Sequence, residues 1–431
     1  MGAEENPAAE TKTVKRSHSA ALAGSSLLSA IGTLVATVII KHVFEGPELA
    51  EFLIFWSILF ACTSIMTGVQ PEVTRAVTSA HHTHVYKARI VPVILIFGIV
   101  AALLVLLTAW WWAPAQVPIS PYSAVIAIAC GVFFYIVQAF LSGASAGNHH
   151  WYFFAAIGSV ESMGRLALMI AAAFVIPSLM GMEIATVAPM MLWVFLVIAV
   201  AAGRSAWSVR ADVEAGQLAK NLGWALVSAI ASAVLMLGFP AILNSSQKEI
   251  SGTEVIALSI LILAISITRS PIMIPLVVFQ GVAIAAFVKQ KHRPLQAFIK
   301  PAAAVVGVGV VGAGAAWLLG PWLFSLLYPA KPSEVDVYAQ VVTGPVLASL
   351  VFAAALLALL TLSGNISLAV GLHRGYMLGW IVAAFITCLV VFIVPLPLVV
   401  RAISALMCGP IVGICVHLWA VSRLNASANV T

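Results

Sequence analysis

The sequence predicts an all-α protein that crosses a membrane twelve times, in two six-helix halves with both termini on the cytosolic side. Three observations lead there. Of the 431 residues, 62% are apolar and 8% are charged, with a mean hydropathy of +1.09, a balance outside the range of soluble domains. Apolar runs long enough to span about 30 Å of hydrocarbon, roughly 20 residues in a helix, recur along the whole chain. The basic residues are unevenly shared between the connecting loops, and that asymmetry sets the orientation.

Taken in order, MGAEENPAAETKTVKR is polar ahead of the first apolar run, so residues 1–17 read as a cytosolic tail leading into a retained helix, not a cleaved signal peptide. The spans fall at roughly 19–40, 49–69, 90–111, 122–142, 152–176, 187–203, 222–243, 255–288, 302–320, 341–363, 376–394 and 399–421, separated by polar or Pro/Gly turns. Residues 425–431 form a second cytosolic tail. With the N-terminus inside, Lys12, Lys15, Arg16, Arg75, Lys87 and Arg89 lie on the cytosolic side. So do Arg204, Arg210, Lys220, Lys289, Lys291, Arg293, Lys300, Arg374 and Arg423. Only Lys41, Lys248, Lys331 and Arg401 lie outside, and Arg165 and Arg269 remain within the membrane. Trp110, Trp111 and Trp112 end the third span at the outer interface, and Trp317 and Trp322 flank the end of the ninth. The largest outer loop, 320–340, is too short for a folded extracellular domain.

Internal similarity divides the chain. WSILFACTSI from Trp56 recurs as LSILILAISI from Leu258, and LSAI from Leu28 recurs as VSAI from Val227. The two offsets are nearly equal, which places one bundle at 18–212 and a second at 213–424, running parallel because six spans preserve orientation.

The stretch TEVIALSILILAISITRSPIMIPLVVFQGVAIAAFVKQKHRP, from Thr253, holds the most informative residue. Counting about 1.5 Å per residue from Glu254, Arg269 sits roughly 22 Å deep, with no acid within four positions. A guanidinium there requires water, a partner helix or an anionic ligand. Pro271 and Pro275 predict a break in this span. In the first span, Ser25, Ser29, Thr33 and Thr37 form one hydroxyl stripe, which serves either close helix packing or the wall of a hydrated cavity. In the fifth, Glu161 and Arg165 are spaced for a pair on one helix face. They either neutralise each other or line a cavity, where Arg165 joins Arg269 on an anion and Glu161 exchanges a proton. Arg75, after Pro71, reads as an interfacial cap or as a first phosphate contact at the cytosolic mouth.

Other residues suggest less. Cys62, Cys130, Cys388, Cys408 and Cys415 fall inside apolar spans without a CxxC pair and read as small core hydrophobes. His81, His82, His84, His149 and His150 lack nearby carboxylates or cysteines and read as solvated loops, not a metal site. No metal, cofactor or nucleic acid is expected. The absence of a Walker A loop, GxSxG, HExxH or paired outer-loop carboxylates argues against an enzyme.

With VFEGPELAEFLIFWSILFACTSIMTGVQPEVTRAV after the first span, Arg-Ser-Pro in the eighth, and GPWLFSLLYP before a tenth span ending SGNISLAVGLHRG, the chain resembles the Wzx-type flippases of lipid-linked oligosaccharides. These belong to the polysaccharide-transporter branch of the multidrug/oligosaccharidyl-lipid/polysaccharide (MOP) exporter superfamily. The related lipid II flippases have fourteen helices, two more than counted here. The resemblance implies two six-helix bundles around a central cavity that opens alternately to each side. It also implies a cationic site for a polyprenyl-pyrophosphate-linked glycan, with the tail left in lipid. The positions it matches are the first-span stripe, Arg75 and Arg269. Expected with it are a bacterial inner membrane location, H+ or Na+ as coupling ion, and polysaccharide polymerase or glycosyltransferases as partners. The alternatives are a multidrug or cation antiporter of the same architecture, and a membrane scaffold without transport.

Overall fold

The computed structural model describes residues 16–247, 252–289 and 293–428. Most of the two expected tails (1–15 and 429–431) therefore lies outside the described residues, as do Lys12, Lys15, Lys248 and Lys291. In chain order the α-helices are α1 (Arg16–Val43), α2 (Gly46–Met66), α3 (Val69–Thr83), α4 (Ile90–Gln116), α5 (Pro121–Gly147), α6 (Trp151–Val175), α7 (Leu179–Val187), α8 (Leu192–Ala199), α9 (Ala201–Trp207), α10 (Ala215–Met236), α11 (Phe239–Ser245), α12 (Gly252–Lys289), α13 (Pro294–Leu327), α14 (Val335–Val341), α15 (Gly344–Ala369), α16 (His373–Ile393) and α17 (Leu398–Ala428). Among the described residues there is no strand, only an isolated bridge between Arg89 and Arg210. Eleven helical stretches there are long and apolar enough to cross a membrane, and α1 contributes a shorter apolar run, Leu27–Val43.

Two helices organise the interior. The apolar window of α5 is 72% buried and that of α15 is 83% buried, against 22% for α4 and 6% for α13. So α5 and α15 are central, while α4 and α13 turn most of their surface outward. Small residues make this possible, because they let helices approach closely where lipid supplies no hydrophobic driving force. At Gly143 of α5 an added Cβ would lie 2.6 Å from the Gln70 carbonyl oxygen, and at Gly147 it would lie 2.7 Å from Val77 Cβ. These two glycines set α3 directly on α5. Around α5 pack α2, α3, α4 and α6; around α15 pack α12, α13, α16 and α17. Across the chain, α12 lies against α1 and α2, and α10 against α2.

Several elements differ from expectation. The eighth span is not broken: α12 runs continuously through Pro271 and Pro275. Each proline removes one backbone bond, a loss that membrane helices tolerate. Ser266, Thr268 and Ser270 fold their hydroxyls back on the Ile262, Ala264 and Ser266 carbonyls along the same stretch. The sixth span begins at Leu179, not at 187, and is assembled from α7, a 3-10 turn at Pro189, and α8. The ninth continues as α13 to Leu327, and the expected outer loop is mostly helical, ending in α14. Residues after the second span form a separate 15-residue helix, α3, whose Val69, Val73, Ala76, Val77 and Ala80 are buried along one face. The cysteines are free, and Cys130, Cys408 and Cys415 are exposed on spanning helices instead of sitting in the core.

Candidate functional site

The site begins with an interruption between α10 and α11. Pro240 lacks an amide hydrogen, so the carbonyl four residues back, Met236 O at the end of α10, has no backbone donor from α11. Donors come from other helices. Arg269 of α12 donates from Nη1 to Met236 O at 2.7 Å, and Ser57 Oγ of α2 donates to Leu237 O. The proline break thus fixes the position of the guanidinium. One hydrogen bond holds it, and Arg269 enters no ion pair among the described residues.

Arg269 lines a cavity of about 340 Å³ walled by residues of α1, α2, α10, α11, α12 and α15. The hydroxyl residues Thr33 and Thr37 of α1, Ser57 of α2, and Ser266 and Ser270 of α12 share its wall. Trp56, Phe60, Met236 and Met273 contribute apolar surface. Among the described residues no carboxylate lines it. The cavity therefore offers a fixed cation, several hydroxyls and a greasy wall, with no acid among the described residues to neutralise the cation.

The first-span stripe is divided. Thr33 and Thr37 face the cavity, whereas Ser25 and Ser29 are packed against α6. Ser25 Oγ donates to Ala155 O at 2.9 Å and accepts from Ser159 Oγ at 2.7 Å, and Ser29 O accepts from Ser162 Oγ at 3.4 Å. Glu161 and Arg165 do not reach the cavity wall. They form a buried ion pair with each other, Arg165 Nε donates to Thr186 O at 3.3 Å, and its guanidinium lies 4.7 Å from the Phe60 ring centroid. Phe60 thus separates Arg165 from the cavity that holds Arg269. Arg75 is elsewhere, on α3, held by Glu72 at 2.7 Å and Asp212 at 3.2 Å. Glu72 also accepts from Asn221 of α10 at 2.9 Å.

A second polar cluster, absent from the sequence reading, adjoins the cavity at Thr37. Thr37 Oγ1 uses its hydrogen on Leu34 O at 2.7 Å, so the Tyr328 hydroxyl donates to it, also at 2.7 Å. Tyr338 in turn donates to Tyr328 O at 2.7 Å. Nearby, Lys41 Nζ meets Glu334 Oε1 at 2.6 Å, with 1% and 0% of the two side chains exposed. Burial pushes the Tyr328 phenol up to about 12. The cluster ties α1 to the 328–341 segment. No local pattern signals this contact, because Lys41 and Glu334 are 293 residues apart. Two further buried carboxylates were also missed. Glu51 accepts from the backbone N–H groups of Ile119 and Ser120, and Glu183 accepts from Ser120 Oγ at 2.9 Å.

No family model matches the sequence. The uncharacterized protein Rv1510 of Mycobacterium tuberculosis is 32% identical over 375 residues, covering 86% of this chain and 84% of its own. The uncharacterized protein Mb3654 of Mycobacterium bovis is 30% identical over 379 residues, covering 87% and 85%. The chain belongs to their family. Among solved structures, an inward-facing multidrug resistance MATE family transporter of the MOP superfamily superimposes with a TM-score of 0.66 at 13% identity, over 92% of this chain and 95% of that one. The lipid II flippase MurJ, in an inward closed conformation, gives 0.70 at 11% identity over 94% and 87%. The MATE multidrug transporter DinF-BH gives 0.65 at 13% identity over 100% and 99%. The fold is that of the MOP-superfamily transporters, a multi-pass membrane architecture shared by drug exporters and a lipid flippase.

Proposed function

We propose that the protein is a flippase that moves a polyprenyl-(pyro)phosphate-linked oligosaccharide from the cytosolic to the outer leaflet of a bacterial inner membrane by alternating access. The observation that carries this reading is the cavity between the halves. Among the described residues it presents one guanidinium and several hydroxyls, and no carboxylate. An exporter of cations would need an acid there, whereas a pyrophosphate needs the planar fork of an arginine, which stays charged and can donate two hydrogen bonds to one anion. The hydroxyls suit a sugar. The volume of about 340 Å³ lies at the lower end of small-molecule sites.

The distribution of basic residues supports cytosolic termini, an orientation in which the Lys41–Glu334 cluster lies at the outer face. In this arrangement the cluster closes the cavity outward, and its opening would expose Thr37 and Arg269 to the periplasm. Moving an anion outward from a negative interior is favoured by about 2.3 kcal/mol per charge per 100 mV, so the membrane potential can drive export without a nucleotide site. Native mass spectrometry of the purified protein tests the reading. The expected result is a co-purified polyprenyl-linked glycan whose occupancy falls in Arg269→Gln. Unchanged occupancy in that variant, or selective retention of cationic drugs instead, would refute it.

A further inference from the structure

A second cleft, of about 690 Å³, lies where the end of α3, the α5–α6 turn and the segment after α9 converge, and it shares no lining residue with the Arg269 cavity. The chain is unusually contorted here. His84 ends α3 with φ 55 and His149 turns the chain with φ 60, left-handed values that non-glycine residues seldom adopt and that concentrate at functional sites. The glycine contacts that set α3 on α5 bring the two turns together.

The lining has a definite polarity. His81, His82, His149 and His150 all border the cleft. His81 is held in place: Asn148 Oδ1 accepts from its Nε2 at 3.0 Å, and the Tyr86 hydroxyl meets its Nδ1 at 3.1 Å. Asn148 is held in turn by Ser205, to which its amide donates at 3.4 Å. His150 Nδ1 is enclosed without a hydrogen-bond partner. Arg210 is exposed at the rim and enters no ion pair among the described residues, unlike Arg75, which is held by two acids. Among the described residues no carboxylate lines the cleft. Among the described residues no group of His, Cys, Asp or Glu is arranged for a metal ion. Imidazole nitrogens, an exposed guanidinium without an ion pair and hydroxyls, with no acid among the described lining residues, form a lining suited to an oxyanion.

We propose that this cleft binds a phosphate-bearing ligand. Its volume exceeds what a bare phosphate fills, leaving room for the organic group attached to it. Two sources offer that chemistry: the headgroup of an anionic phospholipid, and a soluble phosphate compound. The proposal does not depend on what the central cavity carries.

The test uses the full chain purified in detergent, with thermal unfolding followed against inorganic phosphate and against sodium chloride at matched ionic strength. A soluble source gives a saturable rise in Tm with phosphate and not with chloride, and Arg210→Gln raises the half-saturating concentration at least about tenfold, as expected for a lost charged hydrogen bond. His82→Gln, a second variant, shifts it in the same direction. A lipid source gives no phosphate response. Native mass spectrometry from nanodiscs of equal phosphatidylglycerol and phosphatidylcholine then shows phosphatidylglycerol retained by the wild type and lost from Arg210→Gln. No phosphate response above chloride, together with no lipid retention that depends on Arg210, overturns the proposal.

Discussion

Replacing Lys41 with methionine removes one half of an ion pair that is almost wholly shut off from solvent, with 0% of the Glu334 side chain exposed. The remaining carboxylate keeps only the Lys331 backbone N–H, at 3.0 Å. Stripping one partner from a buried pair costs about 3–5 kcal/mol, because the other charge stays desolvated and uncompensated. At the shallow slope appropriate to a long chain, about 2 °C per kcal/mol, this lowers Tm by about 6–10 °C. Glu334→Gln strands the ammonium and should cost a similar amount. The double variant Lys41→Met/Glu334→Gln removes both charges, so its Tm should return to within about 3 °C of the wild type. Tryptophan fluorescence during heating in detergent gives all four corners of the cycle. Additive single effects, or singles that leave Tm within a degree of the wild type, would show that the two side chains do not form a coupled buried ion pair.

Two further outcomes follow from the same reasoning. Arg165→Met should destabilise the chain by about 3–5 kcal/mol, and Arg165→Met/Glu161→Gln should recover most of it, without loss of glycan occupancy in native mass spectrometry, because the pair lies behind Phe60 and off the cavity wall. Tyr328, with its phenol pushed up to about 12 against an ordinary value near 10, keeps its proton in the folded state while the unfolded chain ionises. Its contribution to stability is therefore complete below about pH 10 and is lost as the pH rises toward 12. Tm measured across that window should fall more steeply for the wild type than for Tyr328→Phe.

How far the sequence could be read depended on the range of the interaction. Composition and span length established a helical membrane protein, because hydrocarbon leaves a chain few alternatives. Arg269 stood out because its depth and isolation are countable along a single helix. Its partner was not legible: Met236 O is available only because Pro240 follows it, and which side chain fills that vacancy is a matter of tertiary packing. Glu161 and Arg165 were legible as a pair from their spacing, yet the spacing could not say on which side of Phe60 they lie. The hydroxyl stripe was real as a periodicity, but two neighbours divide it, so Ser25 and Ser29 take one role and Thr33 and Thr37 another. Pro271 and Pro275 misled, since the cost of an internal proline was overweighted for a helix in lipid. The 320–340 stretch misled in the opposite sense, with polar residues read as a loop that instead carry the Tyr328 and Glu334 contacts to α1.

The bond between Arg269 and the Met236 carbonyl has a bearing on reversibility. Under the flippase reading proposed above, a neutral oxygen is a weak leash: an entering phosphate would need only to outcompete one carbonyl dipole, not a carboxylate, to claim the guanidinium. On departure the same oxygen is waiting to take the charge back, so the empty carrier never has to leave a bare cation in oil. In that reading, a proline on the helix before the arginine's own would give the guanidinium a resting berth between cargoes.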